Sequence, residues 1–340
     1  LRNRSDFMDR MDYIQAVTRT RVLEKKLLSK NRIDRMIEAK DIGEVFKALS
    51  ETEYSNAVAG VSRDEDYENI LSHELKRVYK LMREVSKDQI VVDLMALKYD
   101  YHNLKVLVKE RKLNKDLSKL YIPIGSTDFK KIRDAFIEGN LRDVQPEFRA
   151  AIEAVVQDFE LNKDPQRIDI IFDRFYIQHL YKMAIGTDIE LFINYVKDMI
   201  DFINIKSSIR LKKQGKDMNF LEEVLLPNGN IDKDAILMSF NDSIDVMISR
   251  YKNYRIGPGL LKGLESYRVT NRLSDLEKYM DNYLVEINKP SKYVNFGPEP
   301  IFSYIVAKEA EIKTLRIIMV SKLNKLSPDA TRERVRDLYV

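Results

Sequence analysis

Two copies of one polar motif contain the residues of this chain whose types and spacing best suit chemistry. Each copy has an acid, an amide three residues later and a lysine two residues after that; the members are Asp100, Asn103, Lys105, Asp201, Asn204 and Lys206. Such groups form hydrogen bonds and ion pairs, either within a protein or with a partner. On a helix the acid and the amide share one face, whereas the lysine points elsewhere.

Two interpretations of these polar positions stay open. In the first, the acids and amides form hydrogen bonds between neighbouring helices or repeats of the chain itself. In the second, some of them face an internal socket and, together with Arg210 and Arg316, hold a partner protein. These eight residues are the candidates for a partner interface or for contacts between repeats.

Catalytic motifs are missing from the sequence. Nucleotide hydrolysis needs a glycine-rich phosphate loop, and the nearest fragment, Gly215-Lys216, is followed by Asp217 and lacks an earlier glycine at the right spacing. The Gly-Pro-Gly segment 257–259 lacks the rest of a dinucleotide-binding fingerprint, and we interpret it as a linker. We therefore expect neither enzymatic activity nor a small-molecule substrate.

Metal and cofactor sites are equally unsupported. The three histidines, His73, His102 and His179, are widely separated, and none belongs to a known pairing of metal ligands. The chain has no cysteine, which excludes disulfides and thiolate zinc sites and fits a reducing compartment such as the cytoplasm. We expect no metal and no cofactor.

The composition favours helices. Of the 340 residues 33% are charged, and there are only 11 glycines and 9 prolines, which disfavours a glycine-rich architecture. The 58 basic residues barely outnumber the 54 acidic ones and are spread along the chain, so nucleic-acid binding is not expected. No stretch approaches 18 consecutive apolar residues, and residues 1–10 are charged where a signal peptide is apolar. We expect no membrane span.

The polar motif belongs to an internal repeat. Residues 99–105 match residues 200–206 at an offset of 101, and a third copy at residues 310–313 follows 107 residues later. In this register Glu311 takes the place of the asparagines, and Lys308 takes the place of the acids. A fixed period indicates a fold built from repeated units.

Turn signals after the motif support the same period. A Pro-x-Gly-x-x-Asp sequence at residues 123–128 recurs at residues 227–232, each time before a new helical pattern. Asp188 and Asp232 stand where they could cap helices, and Pro328 suits a first helical turn. Proline and shortness argue against strands in the apolar runs beside these turns.

These patterns predict an all-α fold of three helical repeats of about 100 residues. The approximate divisions are residues 1–115, 116–216 and 217–340. Both ends look like partial units, so we expect the termini to meet and close a ring of three.

Three long segments carry a family resemblance: residues 13–54, 204–231 and 297–340, the last with the run Ala-Lys-Glu-Ala-Glu-Ile-Lys-Thr-Leu-Arg-Ile-Ile. The chain resembles the C subunits of bacterial and archaeal V/A-type ATPases, the counterparts of the d subunit of the eukaryotic V-ATPase. That resemblance implies a pseudo-threefold funnel with a central socket and no catalytic residues. It also implies a peripheral position on the cytoplasmic face of the membrane rotor (proteolipid) ring, and a socket that receives the central shaft of the soluble motor.

Three other classes of protein stay open as alternatives. A free-standing helical-repeat scaffold for protein partners would form an open superhelix with terminal caps. A nucleic-acid-binding helical protein would show salt-dependent binding to mixed DNA. An enzyme of unknown type would show a polar pocket with strongly shifted titratable groups.

Overall fold

The structure, a computed structural model, describes residues 9–340 and is all-α over that range. It contains seventeen α-helices and four short 3-10 helices, and no strand occurs among residues 9–340. The predicted all-α fold is confirmed. The first eight residues, which form most of the charged segment 1–10, lie outside the described residues.

The helices alternate between short connecting elements and three long ones. In chain order they are α1 (Ile14–Glu24), α2 (Lys30–Glu38), α3 (Ile42–Ser50), α4 (Ser55–Ala59), α5 (Tyr67–Val85), α6 (Ile90–Leu113), α7 (Phe129–Glu138), α8 (Pro146–Asn162), α9 (Pro165–Thr187), α10 (Glu190–Lys213), α11 (Met218–Val224), α12 (Lys233–Met238), α13 (Ile244–Tyr251), α14 (Gly257–Thr270), α15 (Leu273–Glu286), α16 (Glu299–Leu323) and α17 (Pro328–Arg332). The longest, α6, α10 and α16, have 24, 24 and 25 residues. Each of the three contains one copy of the polar motif.

The described helices fall into two compact units. The first comprises the described residues up to Val92 together with Ser243–Val340, and the second comprises Asp93–Asp242. The first unit therefore contains α1–α5 and α13–α17, and the second contains α7–α12 with nearly all of α6. The division at residues 115 and 216 stays a prediction.

Helix α16 is the central element of the first unit. Sixteen of its residues are buried, on all of its faces, as expected for a helix that is apolar nearly all round. Leu315, Ile318 and Met319 of α16 are fully buried in a cluster with apolar side chains of α2, α3 and α5. Burying a side chain of this size stabilises the fold by about 1.5–3 kcal/mol.

The second unit has an aromatic core around Tyr101 of α6. The ring centroid of Tyr101 lies 5.3 Å from that of Phe148 on α8 and 6.5 Å from that of Phe172 on α9. Its hydroxyl lies 3.3 Å from Nδ1 of His179, and burial lowers the pKa of that histidine. His179 is thus a core residue, which agrees with its interpretation as an ordinary buried histidine.

Helix ends test several predictions of the sequence. Pro328 occupies the first turn of α17 as predicted, and Asp232 directly precedes α12 although its side chain forms no capping hydrogen bond. Asp188 does not cap α10: it ends α9 in the left-handed conformation (φ 55°), which aspartate tolerates better than most residues. The predicted linker 257–259 is also wrong, because these residues form the first turn of α14, where proline needs no hydrogen-bond donor.

Candidate functional site

The aspartate of the first polar motif anchors the loop that follows its own helix. Asp100 is 2% exposed on α6. One of its oxygens accepts hydrogen bonds from the main-chain N–H and the hydroxyl of Ser126, at 2.8 and 2.7 Å. The other accepts from the N–H and the hydroxyl of Thr127, at 3.3 and 2.7 Å. Four donors therefore compensate the carboxylate for its loss of water.

The asparagine of the same motif holds the loop at a second point. Asn103 donates from Nδ2 to the carbonyl oxygen of Ile122, and its Oδ1 accepts from the N–H of the same residue, both at 2.8 Å. The side-chain amide thus satisfies both main-chain groups of one loop residue, as a neighbouring strand would. This explains why the run beside Pro123 is extended but unpaired with any strand.

The second motif repeats this arrangement on α10. Asp201 accepts from the N–H groups of Asn230 and Ile231, both at 3.0 Å. Asn204 bonds both main-chain groups of Leu226, at 2.9 and 2.8 Å. The two copies therefore do the same physical work, which is to fasten the loop after a long helix back onto that helix.

The glycine of the repeated turn makes this close approach possible. A Cβ at Gly125 would lie less than 3.0 Å from Oδ1 of Asp100 and 2.6 Å from its Cγ. A Cβ at Gly229 would likewise lie less than 3.0 Å from Oδ1 of Asp201. Since Cβ atoms do not come within 3.0 Å of such groups, the Pro-x-Gly-x-x-Asp turns need glycine for space.

Asp201 differs from an ordinary aspartate in its protonation. Burial raises the pKa of this carboxyl to about 6, against the opposing effect of the donors on Ile231 and Asn230, and the nearby Asp198 raises it further. The amide of Asn230 bridges the two acids, at 3.1 Å from an oxygen of each. The paired acids Asp198 and Asp201 make this anchor sensitive to pH.

The third motif, on α16, anchors a distant part of the chain. Glu311 is 3% exposed, and its Oε2 accepts from the N–H of Leu28, at 2.6 Å. Leu28 lies between α1 and α2, near the other end of the sequence. Glu311 therefore forms the kind of contact that Asp100 and Asp201 form, a carboxylate accepting from the main chain of a loop.

This contact corrects the predicted register of the third copy. The sequence analysis matched Glu311 with the asparagines, but its contact matches those of Asp100 and Asp201, which places the third copy 110 residues after the second. Thr314 then corresponds to the asparagines, and its buried hydroxyl has no hydrogen-bond partner among residues 9–340. The error arose because the identical Ile-Lys pairs are three residues out of step with the contacts.

Lys308 belongs to a buried ionic cluster that the sequence analysis missed. Its Nζ lies 2.9 Å from an oxygen of Glu74 and 2.7 Å from Oε1 of Glu311, and Lys308 is 1% exposed. Arg77 donates two hydrogen bonds to Glu74, and the hydroxyl of Tyr54 donates to Glu311. Burial alone lowers the pKa of Lys308, but the two carboxylates outweigh this effect and raise it. Nothing in the local sequence marks Glu74, which lies more than 200 residues from its partner.

The cationic candidates have other surroundings. Lys105 forms an ion pair with Asp173 of α9, and Arg316 donates to both oxygens of Glu68 on α5, at 2.9 and 2.6 Å. The remaining two, on α10, interact with other groups of the chain; Lys206 is half-buried and Arg210 is exposed.

The arrangement offers structural support rather than a reaction centre in the part of the chain that the structure describes. The acids and amides of the motif are saturated by main-chain and hydroxyl donors. Between residues 9 and 340, no group of three or more His, Asp or Glu side chains could hold a metal ion. None of the helices in this range is long and apolar enough to cross a membrane. Fold and site together define an all-helical protein whose long helices each anchor a loop through a buried polar motif.

Comparison with known proteins gives the family. The chain belongs to the ATP synthase (C/AC39) subunit family, whose model matches residues 16–334. It is 26% identical over 329 residues to the C subunit of the V-type sodium ATPase of Enterococcus hirae, a match covering 97% of this chain and 99% of the relative. It is 24% identical to the C subunit of the A-type ATP synthase of Methanocaldococcus jannaschii, covering 96% and 86%. The predicted resemblance is confirmed, and the chain is a component of a V/A-type rotary ATPase.

Proposed function

We propose that this chain is the central-stalk adaptor of its rotary ATPase, a non-catalytic subunit that couples the shaft of the soluble motor to the membrane rotor ring. The observation that carries this proposal is the match to C-subunit relatives along nearly the whole chain. The motor would use this coupling for ATP-driven ion transport or for ATP synthesis. The chain would then lie peripherally, on the cytoplasmic face of the membrane.

We also propose that three helical repeats close into a funnel whose central socket receives the shaft. Three loop anchors, on α6, α10 and α16, support a threefold plan. The third anchor supports closure in particular, because the loop fastened by Glu311 comes from the N-terminal part of the chain at Leu28. In an open helical-repeat scaffold the last repeat would have no such partner.

The anchors suit an element that transmits torque. A loop fastened at two points to a rigid helix yields less under load than a free loop, since its main-chain groups are already bonded. The buried acids and amides serve this stiffness. Arg210, which is exposed, and Arg316, which is partly exposed, are the positions that we propose for contact with a partner.

The proposal is tested by binding the purified chain to the shaft subunit and to the detergent-solubilised ring, first separately and then together. The adaptor role predicts simultaneous binding to both, with the ring contact weakened by salt because it is partly electrostatic. Binding to neither would refute the adaptor role and favour a scaffold for other proteins. Retention on the ring regardless of salt would refute the electrostatic contact.

A further inference from the structure

A cavity in the first unit has a composition that the loop anchors do not explain. It has a volume of about 430 Å³ and lies between the first turns of α15, the C-terminal half of α16 and the segment after α17. Ile317 and Val320 of α16 form its apolar wall. Cavities of a few hundred Å³ with an apolar wall and a few polar groups are the usual sites of small ligands.

The polar lining of this cavity is strongly cationic. Its acidic members are only Asp275 and Glu333, whereas its basic members come from all three bordering segments: Arg272, Lys278, Arg316, Arg334 and Arg336. Like charges gathered around a partly enclosed space repel one another and attract an anion.

The two carboxylates do not neutralise the cations. Asp275 accepts from the hydroxyls of Thr270 and Ser266, at 2.6 and 2.8 Å, and lies 3.5 Å from Arg272. The side chain of Glu333 is 65% exposed and reaches only Arg272, at 3.6 Å. An exposed ion pair of that length contributes little, so most of the positive charge is left without a close counter-ion inside the cavity.

Three of the cations show this most clearly. Lys278 donates to the main-chain oxygen of Glu333, at 2.7 Å, which satisfies a donor without cancelling its charge. Burial lowers the pKa of Lys278, and Arg336 contributes to that lowering. Arg336 shares the single carboxylate of Asp281 with Lys313. Arg334 is exposed and has no carboxylate within ion-pair distance among residues 9–340.

We infer that this cavity binds a small phosphate-bearing anion. Arginine guanidinium groups match phosphate oxygens in shape and in charge, and three arginines with Lys278 can approach one ligand from different sides. The apolar wall at Ile317 and Val320 accommodates a ring or a short chain attached to the phosphate. The inference concerns a site apart from the loop anchors and does not depend on the adaptor role.

The test is isothermal titration calorimetry of the full chain with pyrophosphate and with ADP, and sedimentation with phosphatidylglycerol vesicles against phosphatidylcholine vesicles. Arg334→Ala and Lys278→Met are the test variants, and Arg142→Ala, which removes a cation from the second unit, is the matched control. Loss of one charged hydrogen bond to phosphate should weaken binding at least about tenfold in each test variant. Far-UV circular dichroism verifies that each variant is folded.

The arms of this experiment separate the sources of the phosphate. Saturable 1:1 binding of pyrophosphate or ADP, lost in R334A and kept in R142A, supports the site and identifies a soluble ligand. Binding to phosphatidylglycerol vesicles alone, with the same sensitivity to R334A, supports the site and identifies a lipid headgroup. The inference is overturned if no probe binds, or if R142A weakens binding as much as R334A does.

Discussion

Replacing Gly125 with alanine should destabilise the second unit by displacing a buried carboxylate. The added Cβ would stand 2.6 Å from Cγ of Asp100 and less than 3.0 Å from its Oδ1, so the carboxylate must move. Movement weakens hydrogen bonds to Ser126 and Thr127, and bonds to a charged group are worth about 1.5–3 kcal/mol each. Loss of two of the four lowers the free energy of unfolding by about 3–5 kcal/mol.

The assay is urea unfolding followed by far-UV circular dichroism, with Gly186→Ala as the matched control. Gly186 lies in α9 of the same unit, and a Cβ there would meet nothing within 4 Å. Alanine at such a helical position should stabilise the protein by about 0.5–1 kcal/mol. Gly125→Ala and Gly186→Ala should therefore shift the midpoint in opposite directions.

A double-mutant cycle isolates the cause. If the loss arises from the clash with Asp100, then Asp100→Ala combined with Gly125→Ala should be about as stable as Asp100→Ala alone, because the clash is gone. The reasoning is refuted if the two losses add, or if Gly125→Ala stays within about 0.5 kcal/mol of the wild type, as ordinary surface changes do.

The remaining predictions concern buried groups on α10 and α16. Lys308→Met should lower the free energy of unfolding by about 3–5 kcal/mol in urea titrations, because two carboxylates lose their buried counter-ion; the exposed Lys130→Met should change it by less than about 0.5 kcal/mol. The pKa of Asp201 is about 6 when folded and about 3.9 when unfolded, so the folded state binds its proton more tightly and loses stability as pH rises through this window. The stability of Asp201→Asn relative to the wild type should thus improve by up to about 3 kcal/mol between pH of about 4 and 7; a difference independent of pH contradicts this. Thr314→Val removes an unbonded buried hydroxyl and should raise the thermal midpoint, by the equivalent of about 1 kcal/mol; a lower midpoint would mean that the hydroxyl is bonded in solution.

The helical fold follows from patterns within the sequence. Helical spacing of apolar residues and few glycines and prolines predict helices without reference to distant residues, and the structure has no strand among residues 9–340. The repeated Asp-x-x-Asn and Pro-x-Gly-x-x-Asp motifs were visible at a constant offset. They correctly singled out Asp100 and Asp201, because both ends of each anchor lie within about 30 residues of one another.

Other features could not be obtained in this way. The side-chain cap expected of Asp188 failed because a single residue in the left-handed conformation turns the chain between α9 and α10, and local propensity does not distinguish the two uses of aspartate. The register of the third motif failed because Glu311 finds its partner at Leu28, 283 residues away. No periodicity in the sequence reports that contact.

The sequence by itself determined the helical class, the family and the spacing of the polar motif. The tertiary structure alone decided what the motif contacts, how Lys308 is neutralised and where the uncompensated cations gather. The physical reason is that helix formation depends on neighbours within a few residues, whereas the energy of a buried charge depends on every group that packing brings within a few ångströms. Those groups come from segments whose separation along the chain carries no signal of their contact.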